Sequence, residues 1–145
     1  MRAVVQRVTS ASVEVGGEIV GSIGLGLCVL VGVTHEDGET NADKLASKLW
    51  NLRIFEDSQG LMNLSAAELA LPVLVVSQFT LYADTTKGRR PSFVAAAPPS
   101  AAEPLISRLV DSLRSLGATV ETGQFRAEMS VTLVNEGPVT IIVES

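Results

Sequence analysis

The chain has 145 residues, 46% of them hydrophobic and only 4% aromatic, with one cysteine and a formal net charge of −5. That length suits one domain over residues 1–145, with a core built from Val, Leu, Ile and Ala rather than from rings. The lone Cys28 excludes an internal disulfide framework and a multi-cysteine zinc site, and the acidic balance argues against coating nucleic acid with a broad basic face.

Residues 1–7 lack the layout of a signal peptide, and no apolar run approaches ~18 residues, which points to a soluble, cytoplasmic protein with no membrane partner. Residues 2–34 predict strands. Ala11, Val13 and Val15 alternate with Ser12, Glu14 and Gly16, the period of a half-buried strand. Gly16-Gly17 is a hairpin signal before the return strand Glu18-Ile19-Val20. The run 25–33 reads as a central strand holding Cys28 as a small buried hydrophobe. The glycines at 21, 24 and 26 are turn glycines, since no Gly-Lys-Ser/Thr follows and the next segment is a strand. His35, the only histidine, lies in a polar loop and carries little weight as a base.

Residues 41–52 predict a helix, with Ala42, Leu45, Leu49 and Leu52 on one stripe and Thr40 or Asn41 as its N-cap. Asp57-Ser58-Gln59-Gly60 reads as a turn, and Ser65 to Glu68 has the spacing of a capping box over one short helical turn. Pro72-Val73-Leu74-Val75-Val76 then reads as a buried strand. It runs directly into Ser77-Gln78-Phe79-Thr80: two hydroxyls, a carboxamide and a ring. A buried strand that delivers polar groups at its end builds a site on rigid backbone, although such hydroxyls also bond local backbone.

Three of the eleven basic residues, Lys87, Arg89 and Arg90, follow within four positions, the one compact basic patch of the chain. It is either a solvated loop or a grip on phosphate. A second helix is expected to about Leu116, with Ser100 to Glu103 in capping-box spacing and Gly117 as the C-terminal cap. Residues 119–121, 129–134 and 139–143 predict three further strands.

Two segments together resemble the D-aminoacyl-tRNA deacylase family: Ser77-Gln78-Phe79-Thr80, and Asn135-Glu136-Gly137-Pro138-Val139-Thr140, which fits Asn-x-Gly-Pro-x-Thr. With the predicted elements, the expectation is an α/β (α+β) domain in which a sheet, or partly open barrel, carries two main helices on one side. The resemblance implies hydrolysis of the ester of D-aminoacyl-tRNA, a proofreading step, and of mischarged glycyl-tRNA. It implies a homodimer with two composite sites. There a cis Gly137–Pro138 of one subunit enters the other's site and excludes L-residues by a clash of rigid main chain. Arg7 is implied as the brace of that dipeptide, Lys87, Arg89 and Arg90 as contacts to the RNA, and Met129 as a neighbour of the terminal adenine. The family usually has Gly where this chain has Arg126, so a side chain there either adds an RNA contact or narrows the pocket.

The residues themselves constrain the chemistry. Ser77, Gln78, Phe79 and Thr80 offer hydroxyls, a carboxamide and backbone N–H groups, with no cofactor, metal cluster, paired carboxylates or evident base. Such groups hold and polarise an ester carbonyl, as an oxyanion hole does, but do not deprotonate water. Either Thr80 is a nucleophile, or the 2′-hydroxyl of the terminal adenosine assists water; nothing in the sequence activates Thr80, which favours the second. Two other readings remain at this stage: a non-enzymatic RNA-binding module using Lys87 to Arg90, and a small-molecule Ser/Thr esterase.

Overall fold

Strand β1 (Arg2–Val15) is the element on which the sheet is assembled. In the computed structural model, which describes residues 1–145, three strands lie antiparallel to it. β8 (Ser130–Glu144) follows one of its edges, and on the other edge β3 (Gly26–Gly32) pairs with Arg2 to Val8 and β2 (Glu18–Ile23) with Ala11 to Val15. β3 takes β6 (Val73–Ser77) in parallel, and β6 takes β7 (Val120–Thr122) in parallel. Parallel neighbours need long crossovers. The first carries α1 (Glu39–Asn51) and α2 (Ala66–Leu69), the second α3 (Pro99–Ser115). The mixed sheet curls until β2 approaches β7, where a Cβ on Gly21 would run into the carbonyl of Thr122. The result is an α+β fold with a nearly closed, barrel-like sheet.

The two faces of that sheet bury different things. Ala3, Val5, Leu27, Val29, Val31, Val73 and Val75 meet Leu45 and Leu49 of α1 and Leu109 and Leu113 of α3. Inside the curl, Val8, Ala11, Val13, Cys28, Leu74 and Val76 form a smaller cluster. An aliphatic core of this kind follows from the scarcity of aromatic residues. No helix is long and apolar enough to cross a membrane.

Several boundaries differ from the sequence reading. The N-cap of α1 is Gly38, not Thr40 or Asn41; Asn41 lies three residues into the helix and its Oδ1 accepts the Gly38 N–H at 3.0 Å. α3 begins at Pro99 with Pro98 as N-cap, so Ser100 sits inside the first turn and caps nothing. Proline's fixed φ and missing N–H suit the first helical position. Residues 130–134 and 139–143 are not two strands but parts of β8, which starts one residue after Met129. A small hairpin, β4 (Phe55–Glu56) with β5 (Met62–Leu64), was not anticipated; Asp57 Oδ1 closes its turn by accepting the N–H groups of Gln59 and Leu61. The capping box of Ser65 and Glu68 is present, and Gly117, at φ +106°, ends α3 with the paired bonds Gly117 N–H to Arg114 O and Ala118 N–H to Leu113 O.

Candidate active site

β6 is buried through Val76 and ends at the half-buried Ser77. The Gln78 N–H still completes the ladder to Val31 O at 2.7 Å, after which Phe79–Tyr82 forms a 3₁₀ turn. The first internal bond of that turn is Leu81 N–H to Gln78 O, at 3.3 Å. The N–H groups of Phe79 and Thr80 therefore have no acceptor within the chain. Gln78 Nε2 donates to Thr80 Oγ1.

A cavity of about 670 Å³ opens beside this strand end. Ser77, Gln78 and Phe79 form one wall, and Phe125, Arg126 and Met129 another. Phe93 and Ala97 close it from the segment leading into α3. Three of the chain's four phenylalanines are thus gathered at one cavity. Thr80 is not among the lining residues; its hydroxyl is turned to Gln78. Met129 packs over Gly123, where an added Cβ would lie 2.7 Å from its sulfur. Ser77 also borders a second, smaller cleft of about 260 Å³ beneath α3, with Glu103, Asp111 and Arg114 in its walls.

The basic residues stand off the cavity. Asp84 and Ser92 exchange backbone hydrogen bonds at 2.7 and 2.8 Å, pinching residues 85–91 into an exposed excursion that carries Lys87, Arg89 and Arg90. None of the three takes part in an ion pair. The loop is tied to the cavity through Phe93, whose ring meets Phe79 edge-on at 5.2 Å. Backbone bonds at Thr86 hold the Asp84 carboxyl below its ordinary pKa. His35 is exposed, as its loop position suggests, and its Nε2 contacts Val94 O at 2.7 Å.

Gly137 and Pro138 lie elsewhere, on the free edge of the sheet. Val8 pairs with Asn135 and Gln6 with Thr140, so two residue steps on β1 face five on β8 and three residues are left over. These extra residues form a bulge, with Gly137 at φ +129° and a cis Gly137–Pro138 peptide. Asn135 spans its base: Oδ1 accepts the Val139 N–H at 2.8 Å and Nδ2 donates to Thr140 Oγ1 at 2.9 Å. Arg7, buried, backs it from β1, donating from Nε to Glu136 O at 3.2 Å and from Nη1 to Ile54 O at 2.7 Å. Ser77 is three strands away from β8 and about four residues along, so roughly 15–20 Å separate the bulge from the cavity of the same chain.

The sequence profile of the family described as D-Tyr-tRNA(Tyr) deacylase matches residues 4–144. The chain belongs to that family. As a member the deacylase is an enzyme, a hydrolase that cuts an ester. It is 61% identical over 145 residues to a protein of Bacillus licheniformis named D-aminoacyl-tRNA deacylase, covering 100% of this chain and 99% of that one. It is 57% identical over 147 residues to one of the same name from Mycolicibacterium smegmatis, covering 99% of each. Among solved structures it superposes on the c-Myc DNA Unwinding Element Binding Protein with a TM-score of 0.95 and 42% identity, covering 100% and 99% of the two chains. A second, titled as a probable eukaryotic D-amino acid tRNA deacylase, shares the fold at a TM-score of 0.84 and 18% identity, covering 99% and 98%.

Sequence reasoning missed the cavity-lining role of Phe93 and the clamp made by Asn135 and Thr140. In an aromatic-poor chain, a phenylalanine beside a basic run was the available signal for the first. The spacing of Asn135 to Val139 and Thr140 held the second, because a side chain bonding four and five residues ahead spans a bulge rather than a plain strand.

Proposed function

We propose that the deacylase hydrolyses the ester of D-aminoacyl-tRNA to free D-amino acid and tRNA, and mischarged glycyl-tRNA by the same route. Residues 1–145 act as one domain, in the cytoplasm where its substrate is made. The observation that carries this reading is the pair of free N–H groups at Phe79, on the wall of an apolar cavity, and at Thr80, the next residue, in a chain matched over its length by the family. Water adds to the ester carbon, the two N–H groups take the charge that develops on the carbonyl oxygen, and the 3′-oxygen leaves with a proton. The 2′-hydroxyl of the terminal adenosine assists the water. Ser77 and Gln78 orient the ester, Met129 and the phenylalanines receive the adenine, and Lys87, Arg89 and Arg90 meet the RNA backbone.

In this reading Gly137 and Pro138 act on the site of a second copy, since the bulge is too far from its own chain's cavity. β8 has an unpaired outer edge with Val134 and Ile142 exposed, the kind of edge that a partner covers. The exposed bulge, held by Arg7 and Asn135, presents main chain that leaves no space for an L side chain. Specificity then comes from a built-in clash and not from contacts to the D side chain.

The test is single-turnover deacylation of matched D- and L-tyrosyl-tRNA, with Pro138→Ala and Asn135→Ala alongside. Rapid loss of the D-ester alone, with that preference eroded in both variants, is the expected result. Binding of tRNA without cleavage of either ester would leave an RNA-binding module. Equal cleavage of both would leave an unselective esterase.

A further inference from the structure

Arg126 is the odd residue of the cavity. It is the only charged residue among those lining it, and it forms no ion pair within the chain. Its backbone is odd as well. Ala127 N–H bonds back to Gln124 O at 3.2 Å, closing a turn in which Arg126 holds the third position at φ +62°. A turn with positive φ there favours glycine. An arginine gains nothing for the backbone at such a place, and strain retained at a site wall points to a use for the side chain.

We infer that Arg126 is a binding residue for a phosphate, the one that joins the 3′-terminal nucleotide to the rest of its strand. The inference rests on the reading of the cavity as the seat of an RNA 3′ end. The cavity walls carry three phenylalanines and Met129, surfaces on which a base stacks. A base so seated leaves its 5′-phosphate toward the exposed rim, and the exposed guanidinium of Arg126 lies on that rim. A planar fork of donors suits a phosphodiester, and no carboxylate of the chain competes for it. Glycine at this position would relieve the backbone but offer the phosphate nothing. The arginine therefore adds a phosphate contact inside the site, separate from the exposed loop of Lys87, Arg89 and Arg90.

The experiment compares adenosine, 5′-AMP and the trinucleotide CCA as ligands, by NMR shift titration of wild type, Arg126→Gly and Arg126→Lys. In wild type 5′-AMP should bind about tenfold more tightly than adenosine, a charge-assisted bond's worth. Arg126→Gly should lose that advantage while adenosine binding holds, and Arg126→Lys should keep part of it. The log–log salt slope for CCA should fall by about 0.7 in Arg126→Gly, as for one lost contact to a single strand. The glycine variant should be at least as resistant to urea as wild type, so loss of binding would not reflect loss of fold. Equal binding of 5′-AMP by wild type and Arg126→Gly, or no binding of 5′-AMP or CCA by wild type, overturns the inference. Deacylation of D-tyrosyl-tRNA separates the two claims. Turnover with kcat/KM unchanged in Arg126→Gly removes the arginine and keeps the deacylase reading; no turnover by wild type, with its 5′-AMP preference present and lost in Arg126→Gly, does the reverse.

Discussion

The carboxamide of Gln78 donates to the hydroxyl oxygen of Thr80, and the two are neighbours on the rim of one strand end. That pairing fixes the Thr80 side chain without activating it, because a carboxamide takes no proton at neutral pH. His35, the chain's only imidazole, is engaged with Val94 O and not with Thr80. A Thr80 alkoxide has no base to form it. Thr80→Ala should therefore keep the D-ester reaction within about 100-fold of wild type, the loss expected of an orienting group. A substrate ending in 2′-deoxyadenosine should lose far more. Quenched-flow mass spectrometry should find no acyl group on the wild-type protein; an acyl-Thr80 species would end the substrate-assisted account.

Arg7 holds two carbonyls that belong to different parts of the chain, Ile54 and Glu136, from a buried position. Removing it leaves both without a donor inside the fold. Arg7→Ala should cost about 3 kcal/mol in urea unfolding, in the range for breaking a buried charged contact. Arg7→Lys keeps a charge but not the fork, and should lose less stability while loosening the bulge. If the bulge screens substrates, Arg7→Lys should raise cleavage of the L-ester with little change for the D-ester. An unaltered D/L ratio would reduce Arg7 to a structural residue.

Local rules made much of this fold legible. The period-2 strand at Ala11 to Val15, the hairpin at Gly16-Gly17, the Ser65 capping box and the Gly117 terminus all come from short-range chemistry, and all are present. The helix starts failed because the cap was decided by groups reaching backward: Asn41 onto Gly38, and Pro99 onto the first helical position. The strand end at Ser77 was readable as a candidate site because polarity changes abruptly there, and a cavity does open beside it. The burial of Arg7 was not: it shares the face of the buried Ala3 and Val5, but an arginine is rarely buried unpaired, and its partners, the carbonyls of Ile54 and Glu136, come from distant parts of the chain. Nor does any local pattern give the roughly 15–20 Å between that bulge and Ser77, which is a property of strand order.

Asp43 and Arg108 join α1 to α3. Arg108 Nε and Nη2 each donate to the carboxylate at 2.8 Å, and Ser112 Oγ adds a bond at 2.5 Å. These bonds, the arginine's first, lower the Asp43 pKa to about 2. With a folded pKa below the unfolded value of about 3.9, the contact contributes fully above pH ~4 and is lost as pH falls through about 2. Asp43→Asn should lower the urea midpoint at pH 6, and the difference from wild type should shrink as pH falls through about 2 and vanish below it. A difference that persists unchanged at pH 2 would mean the carboxylate's charge is not what matters.

Lys87, Arg89 and Arg90 stand exposed on a loop pinched at Asp84 and Ser92 and anchored by Phe93 on Phe79. In the proposed reading, charges so placed act on encounter and docking of an RNA, and hardly on an ester held in the cavity. Neutralising all three to Gln should raise KM for D-tyrosyl-tRNA steeply at 150 mM salt and leave single-turnover cleavage at saturating enzyme nearly unchanged. The dependence of log kcat/KM on log salt should flatten by about two to three units, at roughly 0.7–0.9 per lost phosphate contact. Phe93→Ala keeps every charge but frees the loop from Phe79. It should raise KM while leaving the salt slope as in wild type, because the number of phosphates neutralised on docking does not change. A slope that falls in Phe93→Ala as well would mean that the anchored position of the loop, and not its charge alone, decides which phosphates it reaches.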